Sequence, residues 1–352
     1  MKQTDCLDRT AIAKMPKIDL HRHLEGAIRL ETLYEYAARI NLGITSISDL
    51  SSAVQIQKND PLSHVNLLSK FAFLRKFYQS QEFIQRITHE CIEDALADHI
   101  QYLELRFSPA ALVGNAHFQY EDVIHWVLEN MTRAAAKTEL RVRAIVSVNR
   151  HEPVEKAESI LSAALQFKSE GLVGVDLAGN EADYSALPFI KFFERAKQEG
   201  LFVTIHAGEW GCAENIRQAI ECLYADRIGH GVRILEDQDV LNLAKQRKIP
   251  FEISLSSNYH SGVVASLEAH PIKRMLSCGL NVTLNTDDPS ISGISLSDEF
   301  SILINRIGVP ISQMDTFLQN SVNASFIAYP EKQQLSLSFA ESLSQWRSEF
   351  LL

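Results

Sequence analysis

The chain has 352 residues, 46% of them hydrophobic and 22% charged, and a net charge of −10. Its length and apolar content leave room for one large core or two smaller ones. The acidic balance excludes a nucleic-acid polyanion or an anionic membrane surface as the natural partner, and no apolar run approaches the roughly 18 residues of a membrane span.

The chain opens with MKQTDCLDRT, where Asp5, Asp8 and Arg9 break up any apolar segment of the signal-peptide kind. Short β-branched runs follow, each ending in polar residues or glycine: KIDLH (17–21), YLELRF (102–107), RVRAIVSV (141–148), VGVDLAG (173–179), FVTIHAG (202–208), RIGHG (227–231), FEISLSS (251–257) and NVTLNT (281–286). From the second run onward the starts lie 24 to 39 residues apart, with helical apolar spacing in stretches such as ALPFIKFFERAKQEG and AENIRQAIECLYA. Alternating strands and helices predict a parallel sheet with right-handed crossovers, and eight units predict a closed (β/α)₈ barrel in one domain spanning 1–352. About 80 residues separate the first two strands. This insertion, about 27–100, contains LETLYEYAARI, HVNLLSKFAFLRKFY and QEFIQRITHECIEDALADHI, all with amphipathic spacing. Rising from the catalytic rim, it reads as a lid over a pocket; periodicity alone is equally compatible with packing outside the barrel. The cysteines Cys6, Cys91, Cys212, Cys222 and Cys278 are odd in number and form no CxxC pair, which favours a reduced, cytoplasmic setting.

Barrel chemistry belongs at the carboxyl ends of the strands. Strand one ends in His21 and His23, which face the same way in extended chain. Strand five ends in His206, with Glu209 three residues on; strand six ends in His230; strand eight ends in Asp287 and Asp288. The remaining histidines fall outside these ends and are assigned to surfaces and helices. Three neutral imidazoles and a carboxylate suit zinc with an open position for water, and His21, His23, His206 and Asp287 are the natural set. Zinc would bring the pKa of its water from about 15.7 towards 7. Strand four carries no lysine to bridge two metals, so one Zn²⁺ per chain is expected. Glu209 reads either as a neutral acid beside the metal or as a carboxylate before a helix. His230 reads as a group that orients or deprotonates the water, or as a buried histidine bonded to backbone.

The stretches KIDLHRHLEGAIRLETL, GVDLAGNE, HAGEWGCAENIRQAIECLYADRIGHGVRILED, SLSSNYHSGVVASLEAHPI and VTLNTDDPSISG, in this order across nearly the whole chain, resemble the adenosine deaminase family. The resemblance implies a zinc-dependent (β/α)₈ barrel of the amidohydrolase group. It implies zinc on His21, His23, His206 and Asp287, with Glu209 donating a proton to purine N1. His230 and Asp288 would hold and activate the attacking water, and the backbone of Gly179 would approach the purine edge. Glu25 stands where animal adenosine enzymes have aspartate, at the position facing the ribose. Ser254 and Leu255 stand where a cysteine–proline pair is common in the family.

The reaction implied is hydrolytic deamination of adenosine or 2′-deoxyadenosine to inosine or 2′-deoxyinosine plus ammonia, within purine salvage. The alternative substrates are adenine and 5′-modified adenosines such as aminodeoxyfutalosine. A silent nucleoside-binding relative would be expected to have lost a ligand or the acid, and none is lost here. The partner in each enzymatic case is a small purine molecule.

Overall fold

The computed structural model describes residues 7–114 and 118–351. Cys6 and most of the MKQTDCLDRT segment, together with His117, lie outside the described residues. Eight strands pair in parallel in chain order: β1 (Lys17–His23), β2 (Ile100–Phe107), β3 (Arg141–Asn149), β4 (Leu172–Ala178), β5 (Phe202–Ala207), β6 (Arg227–His230), β7 (Pro250–Ile253) and β8 (Asn281–Leu284). Helices occupy the crossovers, as in Tyr120–Ala135 after β2 and Ala213–Glu221 after β5. The expected (β/α)₈ barrel is the fold. A bridge between Arg22 and Asp287 closes the seam between β1 and β8, where Asp287 N donates to His21 O (2.7 Å) and His23 N to Asp287 O (2.9 Å).

Alternation divides each strand between two environments. In β2, Leu103, Leu105 and Phe107 join the apolar core beneath the helices, whereas Tyr102, Glu104 and Arg106 occupy alternate positions. Those charges meet others across the barrel. Arg227 of β6 pairs with Glu104 and with Glu252 of β7, and Arg106 Nη2 reaches Glu252 at 2.9 Å. All four are fully buried. Charges taken out of water are tolerated only when paired and hydrogen-bonded, and this chain of ions fills the barrel where an apolar plug would otherwise sit.

Four helices lie between β1 and β2: α2 (Leu30–Arg39), α3 (Ile47–Val54), α4 (His64–Leu74) and α5 (Gln81–Ala97), after the short α1 (Arg9–Lys14) that precedes β1. Sequence periodicity shows three of these four; α3 is short and serine-rich, so its pattern is faint. Serines at the N-caps start the last three, Ser46, Ser63 and Ser80 accepting from Asp49 N, Asn66 N and Phe83 N. Such caps contribute ~1 kcal/mol each. α5 packs against Tyr120–Ala135 as part of the outer layer, while α4 stands over the barrel mouth.

Strands β4, β5 and β6 end one residue earlier than the sequence predicts, and β7 and β8 end earlier still. β7 ends at Ile253 rather than 257, and the chain turns into the helix Leu255–His260. Buried Glu299 draws that helix start, accepting Leu255 N (2.6 Å) and Ser256 N (3.0 Å). β8 ends at Leu284 rather than 286, and Asp287 adopts φ +63°.

Candidate active site

At the carboxyl ends of the strands, His21, His23, His206 and Asp287 bring one ligand atom each to within 4.8 Å of one another. His21 Nε2 lies 3.2 Å, and His23 Nε2 3.4 Å, from Asp287 Oδ1. Both strand-one imidazoles therefore do converge, with ring centroids 5.2 Å apart. His230 and Asp287 both hold positive φ (+59° and +63°), a conformation L-residues adopt at a cost of ~1–3 kcal/mol and one concentrated at functional sites.

The buried ions beneath the cluster orient it. His21 Nδ1 meets Glu252 Oε2 at 2.7 Å, and His206 Nδ1 meets Asp176 Oδ1 at 3.0 Å. Each carboxylate takes the ring's N–H, so the Nε2 lone pair of each ring faces the cluster. His21 Nε2 is buried with no hydrogen-bond partner, an orphaned lone pair of the kind a cation satisfies. Burial holds His23 well below the ordinary imidazole range, so its ring is neutral. Burial and Arg106 also push His21 down, but Asp287 and Glu252 outweigh them and pull it up; the carboxylates that hold a proton there would equally hold a cation. The donor set and its geometry fit one small divalent ion. Asp176 and Glu252 were not singled out in the sequence, yet each is a lone charge inside an apolar strand, which burial permits only with a partner.

Glu209 is only 3% exposed and lies four residues before the helix Ala213–Glu221, so it is not a residue of that helix. Burial first, then the neighbouring Asp287 and Glu181, push its carboxyl well above the usual range, against the pull of Arg150 and Asn258. Its Oε2 is 3.6 Å from His230 Nε2, which lies 3.7 Å from Asp287 Oδ2. Burial likewise keeps His230 well below the imidazole range. Asp288, beside Asp287 but diverging from it, is pushed well up by burial and by Asp287, Glu25 and Glu209. The sequence reading missed Glu181. Its carboxylate accepts the backbone N–H groups of Gly208, Glu209, Trp210 and Gly211 at 2.6 to 3.0 Å, and so fixes the loop that presents Glu209.

His23, His206, Glu209, His230, Asp287 and Asp288 open into one cavity of about 410 Å³, in the range of small-molecule sites. Glu25 and Gly179 line it, as do Leu67, Leu68 and Phe71 of α4. Glu25 Oε1 accepts Ser108 N at 2.7 Å, and burial pushes its carboxyl up to about 7. Gly179, at φ +91° and without a side chain, presents bare backbone at the wall. Leu74 and Phe77, on the same apolar stripe, belong to the core instead. His151 also lines the cavity, although the sequence assigned it to a surface or helix; it follows β3 directly, where the pattern of strand ends had no other histidine to draw notice.

The adenosine deaminase family profile matches residues 16–341. An adenosine deaminase of Clostridium acetobutylicum is 35% identical over 317 residues, covering 90% of this chain and 94% of its own length. Among solved structures, the adenine deaminase of Arthrobacter aurescens superposes with a TM-score of 0.84 at 25% identity over 95% of this chain and 99% of its own. The Arabidopsis protein ADAL, complexed with IMP, superposes with a TM-score of 0.84 at 28% identity over 95% of this chain and 98% of its own. The chain belongs to the adenosine deaminase family, as a hydrolytic aminohydrolase that deaminates adenosine-like substrates.

Proposed function

We propose that the protein converts adenosine and 2′-deoxyadenosine to inosine and 2′-deoxyinosine, with release of ammonia, in cytoplasmic purine salvage. One observation carries the reading: a buried carboxyl with a raised pKa, Glu209, shares a cavity with three of the four convergent ligand-type groups and a neutral histidine. A carboxyl kept protonated at neutral pH is a general acid. Glu209 gives its proton to purine N1, which draws electrons from C6. His230 and Asp288 hold the attacking water over C6. The oxygen adds there as its proton passes to Asp288, Asp288 hands that proton to the exocyclic amine, the C6–N bond breaks to release ammonia, and the remaining hydroxyl proton returns to Glu209 as the C6 carbonyl forms. One Zn²⁺ per chain on His21, His23, His206 and Asp287 would supply the Lewis acidity that makes hydroxide available at neutral pH. The backbone of Gly179 borders the purine edge, and Glu25 faces the ribose.

A cavity of about 410 Å³ that extends to Leu67, Leu68 and Phe71 of α4 supports a nucleoside over the free base. A second reading, a 5′-modified adenosine, has its own support. Arg75 lines the same cavity and makes no ion pair among the described residues, so its guanidinium is available to an anionic 5′ group. An assay at 265 nm on adenosine, 2′-deoxyadenosine, adenine and 5′-modified adenosines tests the substrate. Adenosine or 2′-deoxyadenosine should give the highest kcat/KM; a higher value on adenine would overturn the nucleoside reading, and one on a 5′-phosphate would select the second. Metal emission should show a ratio near one per chain, and a ratio near two would contradict the single site. Glu209→Gln should keep the metal and lose ~10²–10⁴-fold in turnover.

A further inference from the structure

Where His21 and His206 each set a second ring nitrogen against a carboxylate, His230 sets its own against a side-chain amide. Its Nδ1 lies 3.1 Å from the side-chain nitrogen Nδ2 of Asn258. The amide's other end, Oδ1, lies 3.2 Å from Nε2 of His270. The ring of His270 is itself pinned, because the backbone N–H of Ile272 donates to its Nδ1 at 3.1 Å. His230, Asn258 and His270 are all buried.

A backbone amide can only donate, so the direction of every proton in this chain follows from Ile272. His270 Nδ1 accepts and carries no hydrogen. Burial lowers His270 to about 3, so the ring is neutral and its single hydrogen sits on Nε2. That hydrogen needs an acceptor, which is Asn258 Oδ1. The Asn258 amide is thereby oriented with Nδ2 toward His230, and Nδ2 can only donate. His230 Nδ1 must accept, and its ring hydrogen is left on Nε2, the atom that faces the cavity between Glu209 and Asp287. The other neutral tautomer, or an imidazolium, would set two N–H groups against each other at 3.1 Å inside a buried site.

We propose that the relay from the Ile272 backbone through His270 and Asn258 fixes His230 as its Nε2–H tautomer, making Asn258 and His270 positioning residues and His230 a hydrogen-bond donor toward the attacking oxygen. This rests on the reading of His230 as a group that touches the reacting water, and it decides between that reading's two forms. His230 orients the oxygen by donation, and it does not take the proton from it at Nε2. The neighbouring cluster rings are set the same way by Glu252 and Asp176, but those carboxylates leave a lone pair facing inward, whereas the asparagine leaves a hydrogen.

Nitrogen-15 NMR of histidine-labelled holoenzyme at neutral pH tests the assignment directly, with the His230 signals identified from a His230→Gln sample. Wild type should show a protonated Nε2 and an unprotonated Nδ1 for His230. A protonated Nδ1 would overturn the proposal, whether or not the protein acts on adenosine; loss of the deaminase reading would instead show as no turnover with the tautomer unchanged. Asn258→Asp places an acceptor against Nδ1 and should move the hydrogen there, lowering kcat ~10–100-fold, the scale of outer partners at such sites, with KM changed less than about twofold. His270→Gln keeps a donor to Asn258 Oδ1 and should retain the tautomer and most of kcat, whereas His270→Ala should lose both. Unchanged tautomer and kcat in both Asn258→Asp and His270→Ala would refute the relay. If one variant fails to fold, the wild-type spectrum and the other variant still decide.

Discussion

Gly26→Ala is a severe test of how the site holds Asp288. Gly26 follows Glu25 at the turn after β1, and its φ lies outside the left-handed region, so alanine suits the backbone. The space is what forbids it. A Cβ there would lie 1.9 Å from Asp288 Oδ1 and 2.6 Å from Asp288 Cβ and Cγ. Ordinary heavy-atom contacts sit at about 3.5–4.0 Å, so the carboxylate must retreat by more than ~1 Å. Asp288 cannot retreat as a segment, because Pro289 follows it and Ser290 N donates to Gly26 O at 2.8 Å. A displacement of ~1 Å in a reacting group costs on the order of 10²-fold, or about 2.7 kcal/mol of barrier. The expected outcome is therefore a ~10²-fold fall in kcat on the best substrate. Circular dichroism and bound metal should stay unchanged, since Asp288 is not one of the four ligand-type residues. The assay is absorbance loss at 265 nm across a range of substrate concentrations. A folded, metal-loaded Gly26→Ala with kcat within about threefold of wild type would refute the idea that the placement of Asp288 matters to the reaction.

Other consequences follow from the same geometry. Activity needs Glu209 protonated, and its pKa is raised by burial, Asp287 and Glu181, so kcat/KM should fall as pH rises through that raised value. The residual activity of Glu209→Gln should lack that basic limb; if the limb persists in place, another group carries it. Glu299, fully buried and pushed up to about 7 by burial, keeps a proton that the unfolded chain releases near 4.5. Its contribution to stability is complete below about 4.5 and is lost as pH rises through about 7, by up to about 3 kcal/mol. Urea unfolding should show Glu299→Gln destabilising the protein less at pH 8 than at pH 5, whereas an equal effect at both would place the proton elsewhere. Phe71→Ala opens the α4 wall of the cavity and should weaken a nucleoside inhibitor more than free adenine. Equal losses for both would return Phe71 to a purely packing role.

The sequence by itself determined the architecture, because β-branched runs at βα spacing and the helical apolar periods between them are local properties. It also singled out the four ligand-type residues that the structure brings together, since His21 and His23 alternate on one strand and the barrel rule points to strand ends, where His206 and Asp287 stand. Local pattern stopped short wherever a contact runs between distant elements. Strand β7 looks extendable to 257 until Glu299, 44 residues further on, captures the N–H groups of Leu255 and Ser256. The stripe of α4 carries no mark of which residues line the cavity; only packing sends Phe71 to the wall and Phe77 to the core. Glu181, Asp176 and Glu252 looked like ordinary loop and strand residues, and their partners lie up to 231 positions away. The hydrogen on His230 is the furthest from sequence. It follows from a backbone amide at Ile272 through two side chains, because a donor can satisfy only an acceptor, and tertiary structure alone decides which of them meet.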